Sequence, residues 1–235
     1  MPNRKNNKDQ RRLEKLERNR QRLMEEKRTN LKEFKTKNDA QQDYYEAIHE
    51  NDLVFGLGPA GTGKTYVAVR AALEKLVANT VSRIYITRPI IEAGEEEIGI
   101  LPGGIDEKLY PYFYPIQDSI GRLVKNPDRV LEHIEIAPLA FMRGRTFWNC
   151  VVILDEAQNT TPNQMRMFLS RLGENCTAIV NGDESQKDRK GKSGLDVACD
   201  VLDGLEGVEI CEFEEEDIVR SGLVRRILQR WPNAE

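Results

Sequence analysis

Apolar residues along this chain form two kinds of pattern. Six short runs of mostly apolar residues, bounded by polar or glycine residues, predict strands that are buried on both faces of a sheet. Between them lie longer stretches in which apolar residues recur every three or four positions, which predicts amphipathic helices. The predicted strands are LVFGL, SRIYITR, HIEIA, VVILDE, TAIVNGD and VEICEF, and helices are predicted near residues 40–52, 64–79, 106–124, 161–172, 193–203 and 217–230.

Strands and helices alternate from about residue 52 onward. This alternation predicts an α/β fold in which a mostly parallel sheet carries helices on both faces. The carboxyl ends of parallel strands meet at one edge, and ligands bind there in such folds. We therefore expect a single globular domain over residues 39–235, with its functional site at that edge.

Residues 1–38 form a basic arm that differs from the remainder. Up to Lys37 the chain has fourteen Lys and Arg residues against six Asp and Glu, whereas the whole chain has a net charge of −4. The body is therefore acidic. The few leucines of the arm are too sparse for a core, so it is either a solvated helix or a disordered tail. The alternative is a basic helix that contacts nucleic-acid phosphates or a neighbouring subunit.

Composition excludes several other classes of protein. No apolar run approaches the roughly 18 residues that cross a bilayer, and the first residues are charged, so we expect a cytoplasmic protein without a membrane span. The four cysteines stand singly, and there are two histidines, which argues against disulfides or a metal site built from cysteines and histidines, and for buried, reduced thiols.

The stretch GPAGTGKT follows the first predicted strand and precedes a helix. It matches the phosphate-binding pattern G-x-x-x-x-G-K-T, in which glycines let successive backbone N–H groups point at an anion. Lys64 would reach the β- and γ-phosphates, and the Thr65 hydroxyl would bind Mg²⁺. A glycine turn without a ligand is the alternative, but both the pattern and its position favour a nucleotide. The expected nucleotide contacts are Gly58, Pro59, Ala60, Gly61, Thr62, Gly63, Lys64 and Thr65.

A second motif, VVILDEAQ, ends a predicted buried strand with two carboxylates. Asp155 would hold Mg²⁺ together with Thr65, and Glu156 would polarise an attacking water. A water-activating carboxylate beside the metal aspartate favours hydrolysis over transfer of the phosphoryl group to another acceptor, and hence an ATPase over a kinase. The structural alternative is an acidic strand end that leads into a helix capped by Thr160 or Thr161.

A third motif, IVNGDESQ, also runs from a strand into polar residues. Gln186 would lie at the same sheet edge and could hydrogen-bond the γ-phosphate or the attacking water. An ordinary polar turn has the same composition, so this motif indicates a phosphate contact only in combination with the other two motifs.

With these motifs, the stretches ITRPIIEAGEEEIGILPGGIDEKLYPYFYPI, IAPLAFMRGRTF and DIVRSGLVRRIL make residues 40–232 resemble the PhoH-like family of P-loop ATPases. The resemblance implies one RecA-like domain, similar to the first motor domain of superfamily 1 helicases. It also implies the cofactors ATP and Mg²⁺, and action on RNA or single-stranded DNA.

Further site residues follow from this resemblance. Gln41 falls where such helicases place an adenine-contacting glutamine, and Arg88 falls in a segment that touches the nucleic-acid backbone. The alternative for Arg88 is an ion pair with the glutamates of EAGEEE. Lys187 and Lys190 make the loop after GDESQ more basic than the family pattern, in which an apolar residue and Asp-Leu-Pro usually follow, so they are also expected to contact nucleic acid.

In two-domain helicases, the second motor domain supplies an arginine to the ATP site. The chain shows no second motor domain, so the resemblance implies that a neighbouring subunit supplies this arginine within a homo-oligomeric ring, with a hexamer expected. Arg220 and Arg145 are favoured for this role over Arg143 and Arg171.

The leading functional hypothesis is an oligomeric, Mg²⁺-dependent ATPase. It would couple hydrolysis to binding or moving along a single-stranded nucleic acid, RNA rather than DNA. The alternative is a nucleotide-gated adaptor protein that binds ATP and protein partners and hydrolyses slowly.

Overall fold

The computed structural model describes residues 31–90, 105–186, 191–219, 222–224 and 230, with the side chains of residues 105–113 left aside. The six strands in this part of the chain form one sheet in which every neighbouring pair is parallel. Their order is β3-β2-β4-β5-β1-β6. The predicted α/β fold is thereby confirmed. The strands are β1 (Leu53–Leu57), β2 (Arg83–Arg88), β3 (Ile134–Pro138), β4 (Cys150–Leu154), β5 (Cys176–Gly182) and β6 (Val208–Glu212).

Helices cover both faces of this sheet. The described helices are α1 (Asp39–Glu50), α2 (Lys64–Val77), α3 (Ile105–Leu123), α4 (Pro127–Leu131), α5 (Pro162–Leu169) and α6 (Gly194–Leu202). Helices α1 to α4 pack on one face and α5 and α6 on the other, each layer with its own apolar cluster.

The central strands are apolar throughout because both of their faces are covered. In β4, Val151 and Ile153 belong to the cluster under α1 to α4, whereas Val152 and Leu154 belong to the opposite cluster. All four are fully buried. Successive side chains of a strand point to opposite faces, so a continuous apolar run suits this position.

The C-terminal segment departs from the prediction of a helix over residues 217–230. Glu215–Asp217 forms a 3₁₀ turn, and Ile218 is extended, with φ −65° and ψ 114°. The Val219 N–H then donates to the Gly61 carbonyl at 3.0 Å. The extended backbone of Ile218 shows that the chain is not helical there, and the Val219 amide joins this segment to the phosphate loop. The described helical residues begin at position 222 instead.

Residues 31–38, the end of the predicted arm, are not helical and pack on the helical layer. The Lys32 N–H donates to the Leu123 carbonyl at 2.8 Å. The Phe34 ring lies against Tyr45 and Tyr66, and the Arg70 guanidinium lies 5.3 Å from its centroid. Residues 1–30 lie outside the described residues, so the form of the arm and its boundary at residue 38 stay predictions.

All four cysteines are free thiols; Cys150 and Cys176 are buried as the sequence predicts, whereas Cys199 and Cys211 are only half-buried. Cys150 and Cys176 are buried at facing positions of β4 and β5, with sulfur atoms 3.8 Å apart. Burial raises the pKa of Cys199 and of Cys211 to about 12, which keeps both protonated at neutral pH. Within the described part of the chain, no helix has the length and apolar character needed to cross a membrane.

Candidate nucleotide-binding site

The loop that joins β1 to α2 has a backbone that requires its glycines. Gly58, Gly61 and Gly63 have φ values of 128°, 91° and 90°, a region that other residues rarely adopt. A Cβ atom at Gly58 would also collide with the Phe213 carbonyl on the neighbouring segment. The loop therefore wraps closely in front of the N-terminus of α2, the position at which helices bind anions.

Lys64 is buried in the mouth of this loop. Its Nζ donates to the carbonyl oxygens of Gly58 and Pro59 at 2.6 and 2.9 Å. Burial lowers the pKa of Lys64, while the charges of nearby carboxylates, first of all Asp183, oppose this shift. The two carbonyl groups give the ammonium neutral partners, and a phosphate oxygen would be a stronger, charged one.

Thr65 and Asp155 meet across the sheet edge. The Thr65 hydroxyl donates to Asp155 Oδ1 at 2.9 Å, and Asp155 is only 3% exposed. Mg²⁺ prefers such oxygen ligands and takes one or two from a protein, with water and phosphates completing its shell. The described residues contain no group of three His, Cys, Asp or Glu side chains that could hold a metal by themselves. The pair therefore fits a magnesium ion that is shared with a nucleotide.

Arg88, at the end of β2, also contacts Asp155. Its Nε and Nη2 atoms lie 3.0 and 2.5 Å from Asp155 Oδ2. Both side chains are largely buried, with exposed fractions of 15% and 4%. The sequence suggested nucleic acid or the glutamates of EAGEEE as partners; those glutamates lie outside the described residues. The structure instead pairs Arg88 with Asp155, the candidate magnesium ligand.

Glu156 follows Asp155 with an unusual backbone. Its φ of 58° and ψ of 40° are left-handed, a conformation that costs a residue other than glycine on the order of 1–3 kcal/mol. Its carboxylate accepts a 2.8 Å hydrogen bond from Gln158 Nε2, while Gln158 Oε1 accepts the Asp183 N–H at 3.1 Å. Gln158 thus ties Glu156 to the next strand. Sequence reasoning missed Gln158, because a glutamine after DEA looks like any polar residue of a turn.

Asp183 connects the third motif to the phosphate loop. Its buried carboxylate accepts the Ala60 N–H at 2.9 Å and Gln186 Nε2 at 2.5 Å. Gln186 is exposed and lines the pocket, but in this structure its amide binds Asp183. Its predicted contact with a phosphate or water stays a prediction.

Gln41, on α1, braces the same loop from the other side. Its Nε2 donates to the Thr62 carbonyl at 2.6 Å, and its Oε1 accepts the Lys37 N–H at 2.9 Å. The close approach needs glycine at position 63, where a Cβ atom would lie 2.7 Å from Gln41 Nε2. Gln41 is therefore next to the loop, while its adenine contact stays a prediction.

These groups surround a pocket of about 280 Å³ at the carboxyl edge of the sheet. It brings together residues from all three motifs, which lie apart in the sequence; Thr65 and Asp155, for example, are 90 positions apart. The lining residues are Ala60, Gly61, Gly63, Lys64, Thr65, Tyr66, Ser119, Asp155, Glu156, Asn181, Gly182, Asp183 and Gln186.

The remaining predicted residues lie away from this pocket or beyond the described residues. Arg145 forms an ion pair with Glu135 of β3, with 2.5 Å between the charged atoms. Since β3 is four strand spacings from β1, about 19 Å, Arg145 cannot reach its own phosphate loop. Lys187, Lys190 and Arg220 lie outside the described residues.

Comparison with known proteins identifies the family. The family described as PhoH-like protein matches residues 33–231. The chain belongs to the PhoH-like family. This PhoH-like chain is 48% identical over 206 residues to the PhoH-like protein of Bacillus subtilis (strain 168), covering 85% of this chain and 64% of that protein. It is 47% identical over 205 residues to Protein PhoH of Escherichia coli (strain K12), covering 83% and 57%.

The PhoH-like protein of Synechocystis sp. (strain ATCC 27184 / PCC 6803 / Kazusa) is 44% identical over 202 residues, covering 83% of this chain and 61% of that protein. The chain thus spans less than two thirds of the length of these relatives. Family membership implies a nucleotide-binding protein of the P-loop NTPase type, which agrees with the parallel sheet and its glycine loop.

Proposed function

We propose that this PhoH-like chain is a Mg²⁺-dependent ATPase. One observation carries the proposal: the ends of β1, β4 and β5 converge on a single pocket. Thr65 reaches Asp155 at 2.9 Å, and the Ala60 amide reaches Asp183 at 2.9 Å. A loop of backbone N–H groups, a lysine, a buried carboxylate and an accessible one are together the parts that phosphoryl-transfer sites of this type need.

The residues of the pocket would have separate roles in binding and hydrolysis. The loop amides and Lys64 would bind the phosphate chain, while Thr65 and Asp155 would hold the magnesium ion. When bound, the ion would neutralise charge that develops on the phosphate oxygens. Glu156, which lines the pocket and accepts a hydrogen bond from Gln158, would accept the proton of an attacking water. This arrangement favours hydrolysis over transfer to a second acceptor.

Arg88 supports coupling of this site to a single-stranded nucleic acid. Guanidinium groups suit phosphates as well as carboxylates, and Arg88 shares Asp155 with the candidate ion. A cation on Asp155 would weaken that ion pair and leave Arg88 available for a backbone phosphate. Lys187 and Lys190 would add positive charge along the strand, for which we propose RNA rather than DNA.

We further propose a homo-oligomeric ring, with six subunits expected, in which a neighbour completes each site. Arg145 supports this arrangement because its exposed side chain lies beside the edge strand β3, paired with Glu135, too far from its own loop. Arg220 is the second candidate; it directly follows Val219, whose amide binds the loop carbonyl of Gly61. We also propose a cytoplasmic location, where ATP and RNA are both available.

The test is ATP turnover with and without RNA or single-stranded DNA, across a series of protein concentrations. We expect stimulation by RNA and a specific activity that rises with protein concentration. Lys64→Ala should abolish turnover, and Arg88→Ala should lose most of the stimulation. Slow turnover that does not respond to nucleic acid would instead favour a nucleotide-gated adaptor. Transfer of the γ-phosphate label to an acceptor would indicate a kinase.

A further inference from the structure

Asn181 carries a buried hydrogen-bond donor at the edge of the candidate nucleotide pocket. The residue is 1% exposed and lies near the carboxyl end of β5. Its Oδ1 accepts a 2.5 Å hydrogen bond from the Tyr44 hydroxyl. Its Nδ2 has no partner among the residues that the structure describes. Buried polar groups are nearly always paired, so an unpaired amide at a pocket indicates a missing acceptor.

Two neighbouring elements, α1 and β1, fix the orientation of this amide. Tyr44 reaches it from α1 and is fully buried. Gly56 of β1 leaves the space for the contact, since a Cβ atom there would lie 2.8 Å from Asn181 Oδ1 and 2.9 Å from the Tyr44 ring. Burial raises the pKa of Tyr44, so its hydroxyl stays protonated and remains a donor. Oδ1 is therefore occupied, and Nδ2 is the group that Asn181 can offer to a ligand.

The position of Asn181 indicates which ligand atom would accept this bond. Strand β5 lies between β1, which carries the phosphate loop, and β4, which carries the two acids. Asn181 lines the pocket together with Lys64 and Asp155. A phosphate chain held by the loop, with its metal and water on the side of the acids, would place its last phosphate above the end of β5. Phosphate oxygens are acceptors, which complements a free N–H donor.

We propose that Asn181 binds the γ-phosphate of the nucleotide through Nδ2 and that Tyr44 holds it in position to do so. This inference rests on the proposed function, because it requires a triphosphate in the pocket. It adds a residue that distinguishes ATP from ADP. Tyr44 and Gln41 both lie on α1. This helix therefore contacts Asn181 through Tyr44 and the phosphate loop through Gln41.

The test compares the affinities of ATP and ADP, each with Mg²⁺, by calorimetric titration. Asn181→Ala should bind ATP about tenfold or more weakly, as expected for loss of a hydrogen bond to a charged group, with ADP changed less than about twofold. Asn181→Asp keeps an acceptor for Tyr44 but replaces the donor with a negative charge, so it should lose more. Tyr44→Phe should lose less, in the same direction. Thr177→Val, at the other end of β5, is the matched control and should keep the wild-type ratio.

The outcomes separate this inference from the proposed function. If Asn181→Ala and Asn181→Asp keep the wild-type ratio of ATP to ADP affinity, or lose both equally, Asn181 does not bind the γ-phosphate. Should either variant fail to fold, as judged by circular dichroism, the ratio for the other and for Tyr44→Phe decides. Lys64→Ala serves as the second reference: if it binds ATP as tightly as the wild type, the nucleotide site itself is wrong.

Discussion

Arg88 and Asp155 form an ion pair in which two guanidinium nitrogens, Nε and Nη2, contact the same oxygen, Oδ2. The Thr65 hydroxyl binds the other oxygen, Oδ1. One carboxylate therefore joins the residue expected to contact a nucleic-acid strand to the residue expected to share magnesium. The ion and Arg88 would compete for Asp155. This competition gives a mechanism by which nucleotide binding would change the affinity for a single-stranded nucleic acid.

Replacing Arg88 with alanine should lower the melting temperature of the nucleotide-free protein, because it leaves a buried carboxylate without its partner, at a cost of about 3–5 kcal/mol. Mg²⁺-ATP should then raise the melting temperature by more than in the wild type, because the cation supplies the missing charge. Thermal unfolding with and without Mg²⁺-ATP measures both effects.

The control for this substitution is Arg122→Ala, which removes an exposed ion pair with Asp118 on α3. Exposed pairs contribute about 0–1 kcal/mol, so this variant should melt like the wild type. If Mg²⁺-ATP raises the melting temperatures of Arg88→Ala and of the wild type equally, Arg88 and the magnesium ion do not compete for Asp155.

Glu156→Gln should bind ATP normally but hydrolyse it about 10² to 10⁴-fold more slowly, because the amide cannot accept a proton from water. Single-turnover hydrolysis, measured at saturating ATP, gives the rate of the chemical step. Glu206→Gln, at an exposed position, is the matched control. Wild-type hydrolysis by Glu156→Gln would assign the base to another residue.

The fold and the three motifs could be predicted because they depend on local patterns. Apolar runs specify buried strands, and GPAGTGKT specifies its own backbone through Gly58, Gly61 and Gly63. The contacts between motifs could not be predicted in this way. They depend on the strand order β2-β4-β5-β1, which brings together segments that are distant in the sequence.

The ion pair of Arg88 with Asp155 and the hydrogen bond from the Ala60 amide to Asp183 are examples of such contacts. The start of the last helix failed as a local prediction for the same reason. Residues 217–219 have a sequence compatible with a helix, but the Val219 amide is bonded to Gly61, a partner more than 150 residues away.

The proposed ring, in which a neighbouring subunit completes each ATP site, predicts that two inactive variants can complement each other. Arg145→Ala subunits can bind nucleotide, and Lys64→Ala subunits carry an intact Arg145, so mixing the two should partly restore turnover if Arg145 acts on a neighbour. Such an arginine is worth about 10³ to 10⁵ in rate, which makes the restored activity easy to detect. The same assay applies to Arg143, Arg171 and Arg220. Lack of rescue for all four arginines would contradict sites between subunits.

Glu74 should stabilise the fold in a pH-dependent way. Burial alone would raise its pKa, but hydrogen bonds from His49, Tyr45 and Arg70 outweigh it and lower the pKa from 4.5 to about 2. A carboxyl group with a depressed pKa contributes stability above its unfolded pKa and loses it as the pH falls towards the folded value. We expect roughly 1–3 kcal/mol to disappear between about pH 5 and pH 2.

Chemical denaturation at a series of pH values measures this loss of the free energy of unfolding. Glu74→Gln should be less stable at pH 7 and should show a flatter decline in acid. Glu206→Gln should follow the wild-type curve. A Glu74→Gln decline as steep as that of the wild type would mean that other carboxyl groups cause the acid sensitivity.

The central claim is that the loop of residues 58–65 binds a triphosphate through its backbone and Lys64. Calorimetric titration of ATP with Mg²⁺ into the wild type and Lys64→Ala tests this claim most directly. We predict that the wild type binds and that Lys64→Ala binds about 100-fold more weakly, because the γ-phosphate loses a charged donor. Equal affinities in the two proteins would contradict the claim.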